Sequence, residues 1–184
     1  DCLDTFTSLF QDRAKAPPKS DLISMLAHSE VADMDPQTFL STLMLLIVGG
    51  NDTTRNSISG GLLALLDNPL EMKKLKENPA LVTSMVPEII RWQTPLTSMR
   101  RTSTRPVVLN GQEIPEGAKI IMWYLSGNRD ETVIPNAASF IIDRANPRHH
   151  LSFGFGIHRC MGNRLAELQL KILWEEILSR SMTI

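Results

Sequence analysis

Asp35-Pro36 and the stretch behind it constrain this chain more than any other feature. Asp is a favoured N-cap and Pro a favoured first helical residue. No comparable stop appears before Asp67-Asn68-Pro69. The spacing predicts one helix from Pro36 to about Leu66, a rod of roughly 45 Å at 1.5 Å per residue. Its centre, Leu43-Met44-Leu45-Leu46-Ile47-Val48, is apolar on every face and is expected to cross the interior. Gly49-Gly50-Asn51-Asp52-Thr53-Thr54 follows at once, and all are poor helix formers. A buried helix that turns weak and polar halfway along is a local conflict of the kind found at functional sites.

Helices are expected around this rod. Residues 1–34 read as helical, with Pro17-Pro18 as a break and Ser20-Asp21 capping a short helix from Leu22 to Ala27. Pro69 opens a charged helix from Leu70 to Glu77, and Asn78-Pro79 opens another. Ser84 to Trp92 reads as helix, with Pro87 tolerated in its first turn. The character then changes. Val107-Val108-Leu109, Asn110-Gly111 and Gln112-Glu113-Ile114 read as strand, tight turn and strand. Ala118 to Tyr124 reads as a further strand, and 125–152 as mostly irregular. A last helix is expected from Met161-Gly162 to Ile177. The fold class is therefore mainly α with a small β region.

Composition narrows the function. Of 184 residues, 42% are hydrophobic and 21% charged, which suits a globular chain. The formal net charge is -1 and no basic stripe appears, which argues against nucleic acid as a partner. The apolar run Leu43 to Val48 falls far short of the ~20 residues that span a bilayer, and a cytoplasmic location is expected. Two cysteines, Cys2 and Cys160, are too few for a disulfide scaffold. Cys2 reads as an incidental thiol.

Cys160 differs because of its neighbours, Phe153-Gly154-Phe155-Gly156-Ile157-His158-Arg159-Cys160-Met161-Gly162. Three glycines let the backbone turn tightly and approach a flat object. A helix start just beyond the cysteine favours negative charge there, and Arg159 adds positive charge. That combination suits an anionic sulfur ligand to iron. A buried cysteine in a glycine-rich turn is the alternative.

Two further patterns stand out. Glu88-Ile89-Ile90-Arg91 sets opposite charges at i and i+3 on one helix face, which on its own describes an exposed surface pair equally well. Asp52-Thr53 places an acid beside a hydroxyl. Within an apolar, kinked helix it could hold water and pass protons; the alternative is a solvent-facing stripe.

The ten-residue stretch around Cys160 resembles the haem-ligand signature of the cytochrome P-450 family. The other motifs occur in that family's order from about Asp35 to Leu178. The resemblance implies the C-terminal part of the cytochrome P-450 fold, with residues 1–184 as a partial haem-thiolate monooxygenase domain whose N-terminal half and extreme C-terminus are absent. It implies haem b as cofactor and Cys160 as the axial ligand of its iron. His158 and Arg101 would meet propionates, with Arg100 as the alternative to Arg101. Phe153 would pack beside the sulfur, and Gly154 would be a further cofactor-binding residue. Glu88, Arg91 and Arg144 would form a structural network, with Phe140 in the same later element. Asp52 and Thr53 would deliver protons to bound O2.

Val48 to Ser57, Ile90 to Leu96 and Met122-Trp123-Tyr124 resemble more narrowly the bacterial subfamily that hydroxylates medium-chain alkanes at the terminal carbon. A small hydrophobic substrate, lined by Leu45, Val48, Gly49, Leu96, Thr97 and Met99, is implied. So are a ferredoxin and an NAD(P)H-dependent ferredoxin reductase as electron donors. Hydroxylation of fatty acids or terpenes, a haem-thiolate sensor, and a haem-thiolate isomerase or peroxygenase remain as alternatives. Neither a sensor nor an enzyme without a proton relay needs Asp52-Thr53.

Overall fold

The computed structural model describes residues 2–30 and 32–180, without the side chains of Cys2 and Leu3. The expectation placed on the Cys2 thiol lies outside the described residues, as does Thr183-Ile184, which reads in the sequence as part of a strand. Helices dominate, with two small antiparallel sheets, as the sequence predicts. The chain divides into two compact units, one ending at Gly49 and the other starting at Gly50.

The first unit holds α1 (Cys2–Lys15), α2 (Leu22–Ala27) and the first half of α3 (Pro36–Asp67). Helix α1 ends before Pro17-Pro18. Asp21 caps α2 by accepting from the Ser24 N–H at 2.9 Å and pairs with Arg13 at 3.0 Å. Asp35 caps α3, accepting from the N–H groups of Gln37 and Thr38. Phe39 stacks on Phe10, with ring centroids 4.7 Å apart.

One expectation for α3 needs correction. Of the apolar run, Leu43 is buried, whereas Leu45 is 72% and Val48 55% exposed, so the run as a whole does not cross an interior here. Within the first unit, Phe39 and Leu43 on one side of the helix are buried, and much of the rest of the run lies uncovered. Helix α3 itself runs unbroken from Pro36 to Asp67, through Gly49-Gly50, as the spacing predicts. Helical hydrogen bonds continue through a run of weak formers when flanking turns propagate the helix, since adding to a helix costs far less than starting one.

In the second unit, α4 (Pro69–Glu77) is followed by a 3-10 turn at Pro79–Leu81, α5 (Val82–Gln93) and, at the chain's far end, α7 (Asn163–Ser179). The core lies among the second half of α3, α5 and α7. Leu65, Met85, Ile89, Leu170 and Trp174 are fully buried there with Phe140 and Ile142 beside them. A Cβ built on Gly61 would sit 2.8 Å from the Ile89 side chain, so glycine is what lets α3 approach α5. Pro87 is inside α5 rather than in its first turn. The helix starts at Val82, earlier than the sequence suggests, because the 3-10 turn runs straight into it.

Strands β2 (Val107–Leu109) and β3 (Gln112–Ile114) form the expected hairpin. Asn110 and Gly111 both have positive φ, as a two-residue primed turn requires. Strand β4 (Lys119–Trp123) pairs with β1 (Ser98–Thr102), which the sequence reading leaves as loop. Two adjacent arginines hide the alternation of β1, and its partner lies beyond the hairpin. The short helix α6 (Tyr124–Gly127) likewise falls where irregular chain is expected.

Candidate active site

The site grows from the C-terminal half of α5. Glu88 and Arg91 are completely buried, which excludes the surface-pair alternative. The two side chains meet fork to fork: Arg91 donates from Nε and Nη2 to the two Glu88 oxygens, each at 2.8 Å. Its remaining donors reach the carbonyls of Asn128 (2.7 Å), Ala137 (2.9 Å) and Ser139 (2.9 Å). All five guanidinium N–H groups are thereby used. Glu88 also accepts from Arg144 Nε at 3.0 Å and from the Ile141 N–H at 2.9 Å. Arg144 continues to the carbonyls of Pro135, Asn136 and Ser139. A buried ion pair survives desolvation when its remaining polar positions are satisfied, and here they are. The network fixes the irregular segment 128–144 against α5. Phe140, buried, packs on Trp92 at a centroid distance of 5.8 Å.

Sequence reasoning missed a second network that grows from the first. Thr94 ends α5 in the left-handed region at φ 41° and donates through its hydroxyl to the Arg91 carbonyl at 2.7 Å. Asn128, fully buried, donates from Nδ2 to Thr94 Oγ1 and to Ser152 Oγ, both at 2.9 Å. Its Oδ1 accepts from the Leu151 N–H at 2.7 Å. The Ser152 hydroxyl closes the circuit on the Ile90 carbonyl at 2.8 Å. The one available hint was polar residues clustered in a long turn-rich stretch.

Residues 151–162 carry the cysteine. Gly154 has φ 68° and donates its N–H to the Leu151 carbonyl at 2.7 Å. A Cβ there would lie 3.3 Å from Tyr124 Oη, so conformation and space both call for glycine. Gly156, also at φ 68°, opens a 3-10 turn to His158. Cys160 donates its N–H to the Phe153 carbonyl at 2.8 Å, closing the loop. Its thiol is free and exposed, so the buried-cysteine alternative is excluded. Helix α7 begins three residues later, with Gly162 as its N-cap and no side chain capping it. Phe155 (82%), Ile157 (97%) and Met161 (89%) are apolar and exposed around the sulfur's stretch of chain, and His158 is exposed with them.

Among the described residues no group of three or more His, Cys, Asp or Glu side chains could hold a bare metal ion. One exposed protein sulfur in a loop that also exposes Phe155, Ile157 and Met161 instead fits a metal that brings its own planar, apolar ligand. That is the donor set haem demands.

The other sequence-derived residues fall as follows. Arg101 is half-buried on β1 and shares a sheet face with Met99, two residues away, whereas Arg100 is exposed on the opposite face. Leu96 and Met99 are about two-fifths exposed, and Thr97 is exposed between α5 and β1. Asp52 is solvent-facing and pairs with Arg55 at 2.9 Å, one turn along α3, rather than lying in an apolar kink. Thr53 is half-buried beside it and accepts at its carbonyl from the Ser57 hydroxyl. Leu45, Val48 and Gly49 are exposed residues of the first unit.

His150 is the buried titratable group nearest the loop in sequence. Its Nδ1 accepts from the Ser152 N–H at 3.2 Å, and its ring lies 5.6 Å from that of Phe153. Burial pulls it from 6.5 down to about 4; Glu167 on α7 and Glu88 oppose this, while Arg159 and Arg91 reinforce it. The unfolded chain therefore takes up the proton first as the pH falls. The stability tied to neutral His150 is complete above the unfolded value and is lost as the pH drops toward about 4. At 1.36 kcal/mol per unit this amounts to roughly 3 kcal/mol at most. We expect His150→Phe to flatten that part of the stability profile, measured by urea unfolding across acid pH. An unchanged slope would assign the acid sensitivity to other groups.

Comparison with known proteins agrees with this geometry. The family model for Cytochrome P450 matches residues 4–181. The solved structure of Cytochrome P450-153 from Novosphingobium aromaticivorans is 50% identical, with a TM-score of 0.93 over 97% of this chain and 45% of that one. Linalool 8-monooxygenase of Pseudomonas putida is 38% identical over 94% of this chain and 42% of its own length. Steroid C26-monooxygenase of Mycolicibacterium smegmatis is 39% identical over 95% and 44% respectively. This chain thus spans less than half the length of each of these relatives. Among the described residues no helix is long and apolar enough to cross a membrane. With the sulfur-bearing loop, the buried Glu88–Arg91–Arg144 network and the family match in agreement, the chain belongs to the cytochrome P450 family.

Proposed function

We propose that this chain holds haem b through Cys160 and serves an O2-dependent monooxygenase. The observation that carries the reading is the exposed Cys160 thiol, presented by two left-handed glycines and the Phe153 carbonyl just ahead of α7. Haem, when bound, supplies reductive activation of O2, and an axial thiolate favours O–O cleavage. Arg101 and His158 are the proposed propionate donors. Arg101 is preferred to Arg100 because it is half-buried on the face that carries Met99. Phe153 and Gly154 shape the backbone beside the sulfur.

Asp52 and Thr53 are proposed to pass protons into the site. In that role the Asp52 carboxylate leaves Arg55, takes a proton from solvent and hands it on to the Thr53 hydroxyl. Exposure of Asp52 suits the solvent end of such a path. A cytoplasmic ferredoxin and its NAD(P)H-dependent reductase are the proposed electron donors.

For the substrate we propose a medium-chain linear alkane, attacked at the terminal carbon. Met99 shares the sheet face of Arg101, and just ahead of β1 Leu96 offers exposed apolar surface next to the single hydroxyl of Thr97. Likeness to the 153-type structures supports this choice. The linalool-oxidising relative favours a terpene as the second reading.

Three results are expected of the holoprotein. Cys160→Ser abolishes the thiolate-type absorption of the reduced, CO-bound haem; retention of a normal band overturns the ligand assignment. Thr53→Ala still binds haem but diverts reducing equivalents to peroxide, and NADH consumption that stays coupled to product excludes the relay. Across linear alkanes, affinity measured by the haem spectral shift rises with chain length, by up to ~0.8 kcal/mol per CH2 buried. Fatty acids of equal length bind worse, because nothing replaces the hydration of their carboxylate. Tighter binding of the acids, or no alkane oxidation, removes the alkane reading and leaves the haem assignment in place.

A further inference from the structure

Asn128 is a fully buried polar side chain that none of the steps above uses. Its amide orientation is set by its partners: the Leu151 N–H must meet an oxygen, so Nδ2 faces the two hydroxyls. Both amide hydrogens and the amide oxygen are engaged. The backbone is engaged too, since the Asn128 N–H donates to the Tyr124 carbonyl at 2.9 Å and its carbonyl takes a hydrogen bond from Arg91. One residue thus ties together the Arg91 guanidinium, the left-handed end of α5 and the entry to the cysteine loop.

The loop side of this junction leads directly to the sulfur. Asn128 holds Leu151 through its N–H and Ser152 through its hydroxyl. Leu151 accepts from the Gly154 N–H, which fixes the turn, and the carbonyl of Phe153 inside that turn accepts from the Cys160 N–H. Displacing residues 151–152 therefore displaces the acceptor that locates the Cys160 backbone. Glu88, Arg91 and Arg144 brace 128–144, and Asn128 and Ser152 carry the link onward to 151–162.

We propose that Asn128 is a positioning residue for the iron-ligating sulfur, holding the 151–152 entry of the loop so that Cys160 is presented in a ligating pose. The proposal rests on the haem-thiolate reading and adds to it a determinant of ligation outside the cysteine loop. A sulfur held by a loosened loop would ligate haem iron less well, and this would be read in the CO-bound spectrum without any turnover.

The test uses the holoprotein and three variants, Asn128→Ala, Ser152→Ala and Glu71→Ala. Glu71 serves as the control, since it accepts from the Ile142 N–H and pairs with Lys74, remote in the hydrogen-bond pattern from the loop. Haem content, thermal midpoint and the fraction of the reduced, CO-bound spectrum in the thiolate-type band are recorded. Asn128→Ala is expected to lose part of the thiolate-type band, and Ser152→Ala a smaller part. Glu71→Ala is expected to lower the thermal midpoint and keep the band. If Asn128→Ala and Ser152→Ala lower the midpoint but keep the wild-type band fraction, Asn128 is framework only and the proposal falls. Should Asn128→Ala not fold, Ser152→Ala decides by the same criterion. A wild-type protein without a thiolate-type band overturns the haem reading and this proposal together, so the two failures are told apart.

Discussion

A charged guanidinium in a protein interior demands a partner for every N–H it carries, and Arg91 has found all five. Three of those partners are backbone carbonyls from residues 128–139, a segment with little regular structure to hold its own shape. The demand of the buried charge thus becomes the organising force for chain that hydrophobic packing alone would leave loosely specified. Removing either member of the Glu88–Arg91 pair would leave an uncompensated buried charge, a loss typically of about 3–5 kcal/mol. This makes the pair a keystone without chemical duties of its own.

From that keystone, order passes outward by hydrogen bonds of decreasing burial. Glu88 and Arg91 are sealed, Asn128 and Thr94 are sealed behind them, Ser152 is nearly so, and Cys160 is open. Such a gradient suits a site that must offer one reactive atom to a large ligand while keeping that atom's position well defined. Arg129 illustrates the cost of packing cations here. Burial and then the neighbouring Arg91 charge lower its affinity for a proton, and it lies 3.9 Å from the centre of the Trp92 ring, which offers its π-face in return.

Much of this was legible in the sequence. Asp21, Asp35 and Pro36 announce helix starts through side-chain capping and a fixed φ, which are local effects. Asn110-Gly111 announces a hairpin for the same reason. The Glu88-to-Arg91 spacing and the glycines around Cys160 were equally readable. What escaped notice depends on partners distant in sequence. Ser98–Thr102 becomes a strand because β4 pairs with it. Asn128 matters because Thr94 and Leu151-Ser152 arrive on either side. Exposure of Leu45 and Val48 escaped for the same reason, since hydrophobicity says that a side chain seeks cover and is silent about where the cover comes from. Asp52 faces water because an ion pair with Arg55 suits an acid on an otherwise apolar helix, which is the solvent-facing alternative that the pattern leaves open.

The tethers of the loop also carry a consequence for how the protein folds. Ser152 bonds Ile90 across 62 positions, Glu88 bonds Arg144 across 56, and Arg91 bonds Ser139 across 48. Helices form from neighbours within microseconds, whereas contacts this far apart wait on chain closure. The helices therefore come first and the sulfur-bearing loop last, locked only when the interior cations have found their carbonyls. A nascent chain of this kind passes through a stage with its helical scaffold in place and its ligand not yet poised, and the order of synthesis, with α5 made long before residues 151–162, imposes the same sequence.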